Sequence, residues 1–460
     1  MKTENWEKEL ARITKLPAQE IHTLLEKGLQ CDDPLVQAQV FLCQGEFAKA
    51  DQRFDDAIAA NNATPKRLRL AHHGKGMIYT TKLDYPTALK HYQNALSLFD
   101  KGREALDWAA MAGKVATGLG DTEQSAEAIT LMREVLSVRE KKLGPKHSDV
   151  AEVLNDLGWQ LVVTMSSAEA EALFRRALLI YENSYGKDDP TVANILFRIG
   201  VSCAVTNRLK EAETVSRRAL DIDEAYFGKD HPNVAIRLTS LASVLRSPNR
   251  LAEAEELSRR ALAIMEASVG KDHPEVPQFL YSLAFLLEAK NGKAEAESLL
   301  RRALSINEAY FGKDHSTVAT SLGNLAWLLQ STKHEAEAEG LFRRALAIEE
   351  ALYGKDHPRI VGTLDSLALV LEEQRGLAES EPLMRRALAI DEATFGKDHP
   401  KVARHLDNLA RLLQSTNRPL EAEPLLKRAW QISEASVGKE HRDTVDYKIK
   451  WERLRGQIGK

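Results

Sequence analysis

Glycine recurs at Gly144, Gly186, Gly228, Gly270, Gly312, Gly354, Gly396 and Gly438, each 42 residues after the last. So strict a period marks a repeat array, and it limits the fold before any single residue is read. The copy from Gly228 to Val269, GKDHPNVAIRLTSLASVLRSPNRLAEAEELSRRALAIMEASV, serves as the unit. Arrays grow along one axis, so the 460 residues are expected to form one elongated domain, not several globular ones. Apolar residues make up 43% of the chain and aromatics only 6%, a balance suited to a core of Ala and Leu contacts between helices.

Within the unit, Val234, Leu238, Leu241, Ala242 and Leu245 follow the i, i+4, i+7 spacing of a buried helical stripe, which predicts a first helix from about Pro232 to Arg246. A turn is expected over 247–250. A second helix, from Leu251 to Ser268, is expected to bury Ala254, Leu257, Ala261, Leu262 and Met265. The alanines at 242, 254 and 261 let the helices approach to the close end of the usual spacing of about 8–10 Å.

Upstream, Gly45, Phe47, Ala50, Phe54 and Ala57, then Gly76, Tyr79, Tyr85, Ala88, Tyr92 and Ala95, set a small residue and an aromatic before Ala, aromatic and Ala. A third copy centres on Ala128, and Ala170, Ala212, Ala254, Ala296, Ala338, Ser380 and Ala422 hold the same place later. This order resembles the tetratricopeptide repeat. The 42-residue length, with HPxVAxxLxxLAxLL followed by EAExLxRRALAI, resembles the longer repeats of kinesin light chains and nephrocystin-3-like proteins over residues 121–440. The resemblance implies an all-α fold, a right-handed superhelical solenoid of about ten helix-turn-helix repeats. The expected divisions are a helical lead-in over 1–33, irregular repeats over 34–120, regular 42-residue repeats over 121–440, and a charge-rich capping helix over 441–460.

The polar motifs that recur have structural readings. GKDHP puts Asp after Lys between two helices, whereas a phosphate loop needs GxxxxGK[ST] between a strand and a helix. Its Gly is expected to end the second helix in a left-handed cap, and its Pro to begin the next first helix. His147, His231, His273, His315, His357, His399 and His441 lie at least a helix diameter apart, about 10 Å, too far to share a metal ion. Asp189 occupies the same register, so helix capping is the expected role. The Arg pairs, Arg175-Arg176 to Arg385-Arg386, follow Glu171, Glu213, Glu255, Glu297, Glu339 and Glu381 by four residues. That spacing predicts a salt-bridged outer face instead of a nucleic-acid stripe.

No nucleophile elbow, HExxH, paired CxxC or kinase signature is present, and no enzymatic activity, cofactor or metal is expected. The 63 basic and 67 acidic residues leave no overall field for nucleic acid or anionic lipid. Cys31, Cys43 and Cys203 lack metal-ligand spacing and read as reduced thiols. With no secretory signal pattern and no membrane-length apolar run, a cytoplasmic location is expected.

Function is therefore sought where the copies differ. By the resemblance, the first helix of each repeat lines a concave groove that receives a peptide or protein partner. The positions that point into it are expected to place Trp159, Phe197, Tyr281, Phe285 and Trp327 as apolar anchors, and Arg198, Arg246 and Arg411 as isolated cations. Asn324 and Asn408 match the second Asn of the NNLA motif of kinesin light chains and suit an extended backbone. Asp156, Arg198, Ser240, Ser282 and Ser366 stand there in other copies, and no amino-terminal heptad coiled coil is visible, so a kinesin subunit is not the expectation. The leading reading is a non-enzymatic scaffold for a peptide or protein partner. The alternatives are a structural or self-assembling role, and a ligand-sensing or enzymatic role for the first 120 residues, where Trp108 and His72-His73 have no assigned part.

Overall fold

A computed structural model describes residues 26–44, 46–60, 63–81, 85–121, 125–163, 167–374 and 376–458. The lead-in expected over 1–33 lies outside the described residues up to position 25, as does Gly45. Among the described residues every regular element is helical, and the helices alternate as the two members of stacked hairpins. None is long and apolar enough to cross a membrane.

The chain forms two compact units, Met1–Tyr226 and Phe227–Lys460. In the first, α1 (Pro34–Cys43) pairs with α2 (Phe47–Ala59), α3 (Pro65–Thr81) with α4 (Tyr85–Ser97), and α5 (Ala105–Asp121) with α6 (Ser125–Leu143). Next come α7 (Ser148–Val163) with α8 (Ser167–Tyr185), and α9 (Pro190–Val205) with α10 (Leu209–Phe227). In the second unit, α11 (Pro232–Val244) pairs with α12 (Leu251–Val269), α13 (Pro277–Ala289) with α14 (Lys293–Phe311), and α15 (Ser316–Ser331) with α16 (Glu335–Tyr353). There follow α17 (Val361–Glu373) with α18 (Leu377–Phe395), α19 (Pro400–Ser415) with α20 (Pro419–Val437), and a final α21 (Arg442–Ile458). Within each unit a helix packs chiefly on its neighbours in sequence.

Each hairpin closes by setting a small residue of the first helix against a larger one of the second. A Cβ at Gly76 would fall 2.4 Å from the Tyr92 ring, and one at Gly158 2.6 Å from Phe174. In later copies alanine takes the small position, and Ala326 shares a core cluster with Phe342. In the reference copy Val234, Leu238, Leu241, Ala242 and Leu245 are all buried, as their spacing predicts. On α12, Ala254, Ala261 and Met265 are buried, but Leu257 and Leu262 are only half-buried. Ser258 and Ile264 take the buried places instead, because the inward row steps from Ala254 to Ser258 to Ala261. Helix α11 also ends two residues earlier than expected. Pro248 keeps Ser247 extended (φ −74°, ψ 148°), which leaves Arg246 in the turn.

The caps are distributed differently from the expectation. The periodic glycines do have positive φ, from 83° to 96°. Yet ψ at Gly270 is 154° and at Gly312 is 168°, an extended conformation open essentially to glycine alone and not the left-handed helical one. The left-handed caps end the first helices, at Asn207, Asn291, Lys333 and Asn417, with φ between 59° and 65°. There the next amide reaches back five residues, as from Arg208 to the Cys203 carbonyl at 2.8 Å and from His334 to Leu329 at 2.9 Å.

The periodic histidines cap helices as expected. Nδ1 accepts the amide two residues on, at 3.1 Å for His231, 3.2 Å for His315 and 3.3 Å for His399, and Asp189 accepts that of Thr191 at 2.8 Å. Four of the rings, those of His231, His315, His357 and His399, also stack on the aromatic four residues earlier, with Phe227–His231 at 4.4 Å and Phe311–His315 at 4.6 Å between centroids. One side chain thus satisfies an amide and fastens the end of the preceding helix.

On the outer face the Glu–Arg pairs form within each second helix, and they also join neighbouring repeats. Arg301 meets Glu297 one turn back at 2.9 Å and Glu337 of the next repeat at 2.8 Å. Arg302 reaches the preceding repeat, at Glu266 (2.6 Å) and the Lys271 carbonyl (2.7 Å). Arg343 and Arg344 repeat the pattern. These pairs are half exposed, so each contributes at most about 1 kcal/mol.

Candidate functional site

All the predicted contact residues except Arg246 lie on the first helices, beside the buried stripe that orients them. In the N-terminal unit, Trp159 of α7 and Arg198 of α9 meet, with the guanidinium 4.7 Å from the ring centroid. Asn155 donates to Asp156 at 3.1 Å, one turn from Trp159. Burial, reinforced by Glu152, pushes the Asp156 carboxyl above its usual range, and burial lowers the Arg198 guanidinium. Phe197 is half-buried beside Arg198 on the same helix.

In the C-terminal unit, Phe285 of α13 and Trp327 of α15 meet edge to face, 5.8 Å apart at 65°. Trp327 is 46% exposed although Ala326 and Leu328 on either side of it are buried. Tyr281, one turn before Phe285, is occupied internally. Its hydroxyl lies 2.7 Å from Ser321 Oγ and accepts from Asn307 Nδ2 at 3.0 Å. Asn324 and Asn408 are half-buried and make no side-chain hydrogen bond among the described residues.

The expected row of isolated cations is corrected by these contacts. Arg198 lies on Trp159, and Arg411 of α19 is ion-paired to Glu372 of α17 at 2.6 Å. Arg246, exposed in the turn after α11, has no ion-pair partner among the described residues. The reason is the stacking itself, which brings oppositely charged and aromatic side chains of adjacent first helices within reach.

A buried polar seam between successive first helices went unnoticed in the sequence. His405 of α19, only 1% exposed, sits with Nε2 2.8 Å from Asp391 of α18 and Nδ1 3.3 Å from Asp365 of α17. Burial opposes its charge, but the two carboxylates prevail and hold its pKa at about 9. Tyr281, Ser321 and Asn307 make the uncharged version at the same sequence spacings. The signal available was register: Phe279, Ser321, Thr363 and His405 are 42 residues apart, on a face that is otherwise apolar.

Glu171, Cys203 and Glu211 bring three possible metal-ligand atoms together. The carboxylates are already engaged with Arg175 and Arg208, and burial raises the Cys203 thiol, so the group reads as an ion-pair network. Trp108 is a core residue, 1% exposed.

Tetratricopeptide repeat family models match residues 108–149, the overlapping stretches 166–225 and 198–267, and residues 275–351 and 359–435. The chain is a tetratricopeptide repeat protein. Among solved structures, this tetratricopeptide protein is similar to the apo form of RapI, at 15% identity over 76% of this chain and 97% of that one, with a TM-score of 0.54. It is also similar to the apo form of the quorum sensor NprR from B. thuringiensis, at 12% identity over 75% and 97%, with a TM-score of 0.52. Kinesin light chain TPR-like repeats from Podosopora anserina align at 24% identity over 45% and 97%, with a TM-score of 0.41. No curated protein matches the chain. The likeness to RapI and NprR shows a common helical-repeat fold.

Proposed function

We propose that this tetratricopeptide protein is a non-enzymatic scaffold that docks a peptide segment or protein partner along the face formed by its first helices. The observation that carries the reading is Trp327. A large apolar ring is left 46% exposed in a row of buried residues and braced edge-on by Phe285. Exposed aromatic and Arg side chains on a rigid support are the types enriched among binding hot spots. Asn324, one turn before Trp327 and without a side-chain hydrogen bond among the described residues, adds a donor and an acceptor for an extended backbone. Arg246, without an ion-pair partner among the described residues, supplies a cation for an acidic group.

The test combines Trp327→Ala with Arg246→Glu. Both changes lie outside the core, so helical content is expected to persist by circular dichroism. Losing a hot-spot aromatic costs about 2 kcal/mol, so partner capture from the native cell should weaken at least about 30-fold. Unchanged capture by the folded variant defeats the reading.

A further inference from the structure

His72 and His91 fall outside the periodic series of capping histidines, and the scaffold reading assigns them no role. His72 lies on α3 and His91 on α4, the two helices of one hairpin, and both are half-buried. Their Nδ1 atoms converge to 3.1 Å, with ring centroids 5.4 Å apart. Tyr79 stacks on His91 at 5.7 Å and 12°, and donates its hydroxyl to Asp51 at 2.9 Å, which fixes the His91 ring. Lys75, the cation on this face of α3, is neutralised by Asp51 (3.0 Å) and Asp55 (2.6 Å) of α2, leaving the three with a net negative charge.

We propose that His72 and His91 chelate a late first-row divalent transition metal, such as Zn2+, through their Nδ1 atoms. Imidazole ligands sit about 2.0–2.1 Å from zinc. Two such nitrogens separated by 3.1 Å subtend about 100° at the ion, between the octahedral and tetrahedral angles. No third His, Cys, Asp or Glu donor joins them among the described residues, so water completes the coordination. Asp51 and Asp55 offset the Lys75 ammonium, and the Tyr79 stack holds the His91 ring in place. The competing account is a hydrogen bond, one Nδ1–H donating to the other Nδ1, which needs no ion.

Titration of the full chain with ZnCl2 by calorimetry separates the two. The site requires saturable binding of one equivalent that His72→Ala and His91→Ala each abolish, while a His334→Ala variant, which changes an exposed histidine of the second unit, retains it. Absence of saturable binding by the wild type, or binding by either variant equal to that of the wild type, overturns the proposal. Should either variant lose its circular dichroism, the wild-type chain loaded with one equivalent of Cu2+ decides by electron paramagnetic resonance. Coupling to two imidazole nitrogens supports the chelate, and any other nitrogen count rejects it.

Discussion

His405 and the capping histidines show one residue type in two opposite electrostatic settings. His405 is a cation between the buried Asp391 and half-buried Asp365 carboxylates, whereas His399 accepts an amide at Nδ1 and so is a neutral imidazole. The folded pKa of His405, about 9, lies above its ordinary 6.5. Its contribution to stability is therefore full below pH 6.5 and is lost as pH rises through about 9. Asp365 on α17 and Asp391 on α18 face it, and Arg404 of its own helix is 4.0 Å from Asp365. Replacing His405 by Asn leaves those carboxylates, that of Asp391 buried, without their cation and should cost about 3–5 kcal/mol at pH 6. The gap between wild-type and variant urea midpoints should narrow from pH 6 to pH 10, and a constant or widening gap contradicts this account. His399 has the reverse sign. Burial, and then Lys401, lower its pKa, so its contribution is present above pH 6.5 and is lost as pH falls through the depressed value.

The helix ends are where local sequence and observed geometry diverge most usefully. Lys333 carries a φ of 62° at a turn where three sister copies place Asn. A side chain in that conformation costs roughly 1–2 kcal/mol, and glycine is exempt. Lys333→Gly should therefore raise stability by about 1 kcal/mol, read from a denaturation midpoint, and a loss would mean that the lysine makes up for its strain elsewhere. At the closed end of a hairpin the argument runs the other way. Gly158→Ala drives a Cβ to 2.6 Å from the Phe174 ring, which must shift within a packed core. Overpacking of this kind costs about 1–3 kcal/mol, so the variant should melt at lower temperature than wild type. Single-copy periodicity revealed both helices of the hairpin, but the left-handed turn between them was hidden because Asn and Lys both serve it and the Ser247-Pro248 copy turns with Ser247 extended instead.

At the level of the array, each helix depends on its neighbours, and α21 differs from the earlier first helices in what it presents outward. The inward positions Ala403, Leu406, Ala410 and Leu413 of α19 correspond, 42 residues on, to Val445, Lys448, Glu452 and Arg455 of α21. The first four are buried and the second four exposed. We propose that α21 acts as the terminal cap. It covers α20 through Leu454 in the Leu426 cluster, the stacked rings of Trp430 and Trp451, and the Trp451 indole donating to Glu423. Deleting 442–460 should lower hydrogen-exchange protection most in α19 and α20 and progressively less toward α13, as nearest-neighbour coupling requires. A uniform loss across α11–α20 would instead mean that this unit unfolds as one block.

Periodicity by itself determined the helical hairpins, their number and the histidine or aspartate caps of the regular repeats, because these follow from local spacing: an apolar stripe every turn, a capping residue at a fixed register, and Glu four residues before Arg. Register also located Trp159, Phe285 and Trp327 on the variable face. Only the tertiary structure decided what those side chains meet, since packing brings residues 36–43 positions apart into contact. It turned Arg198 onto Trp159, paired Arg411 with Glu372, closed the Tyr281 hydroxyl into an internal network, and left Trp327 open. A spacing along one chain specifies which face a residue occupies. Whether that residue is free depends on its neighbour in the next repeat, which local spacing does not encode.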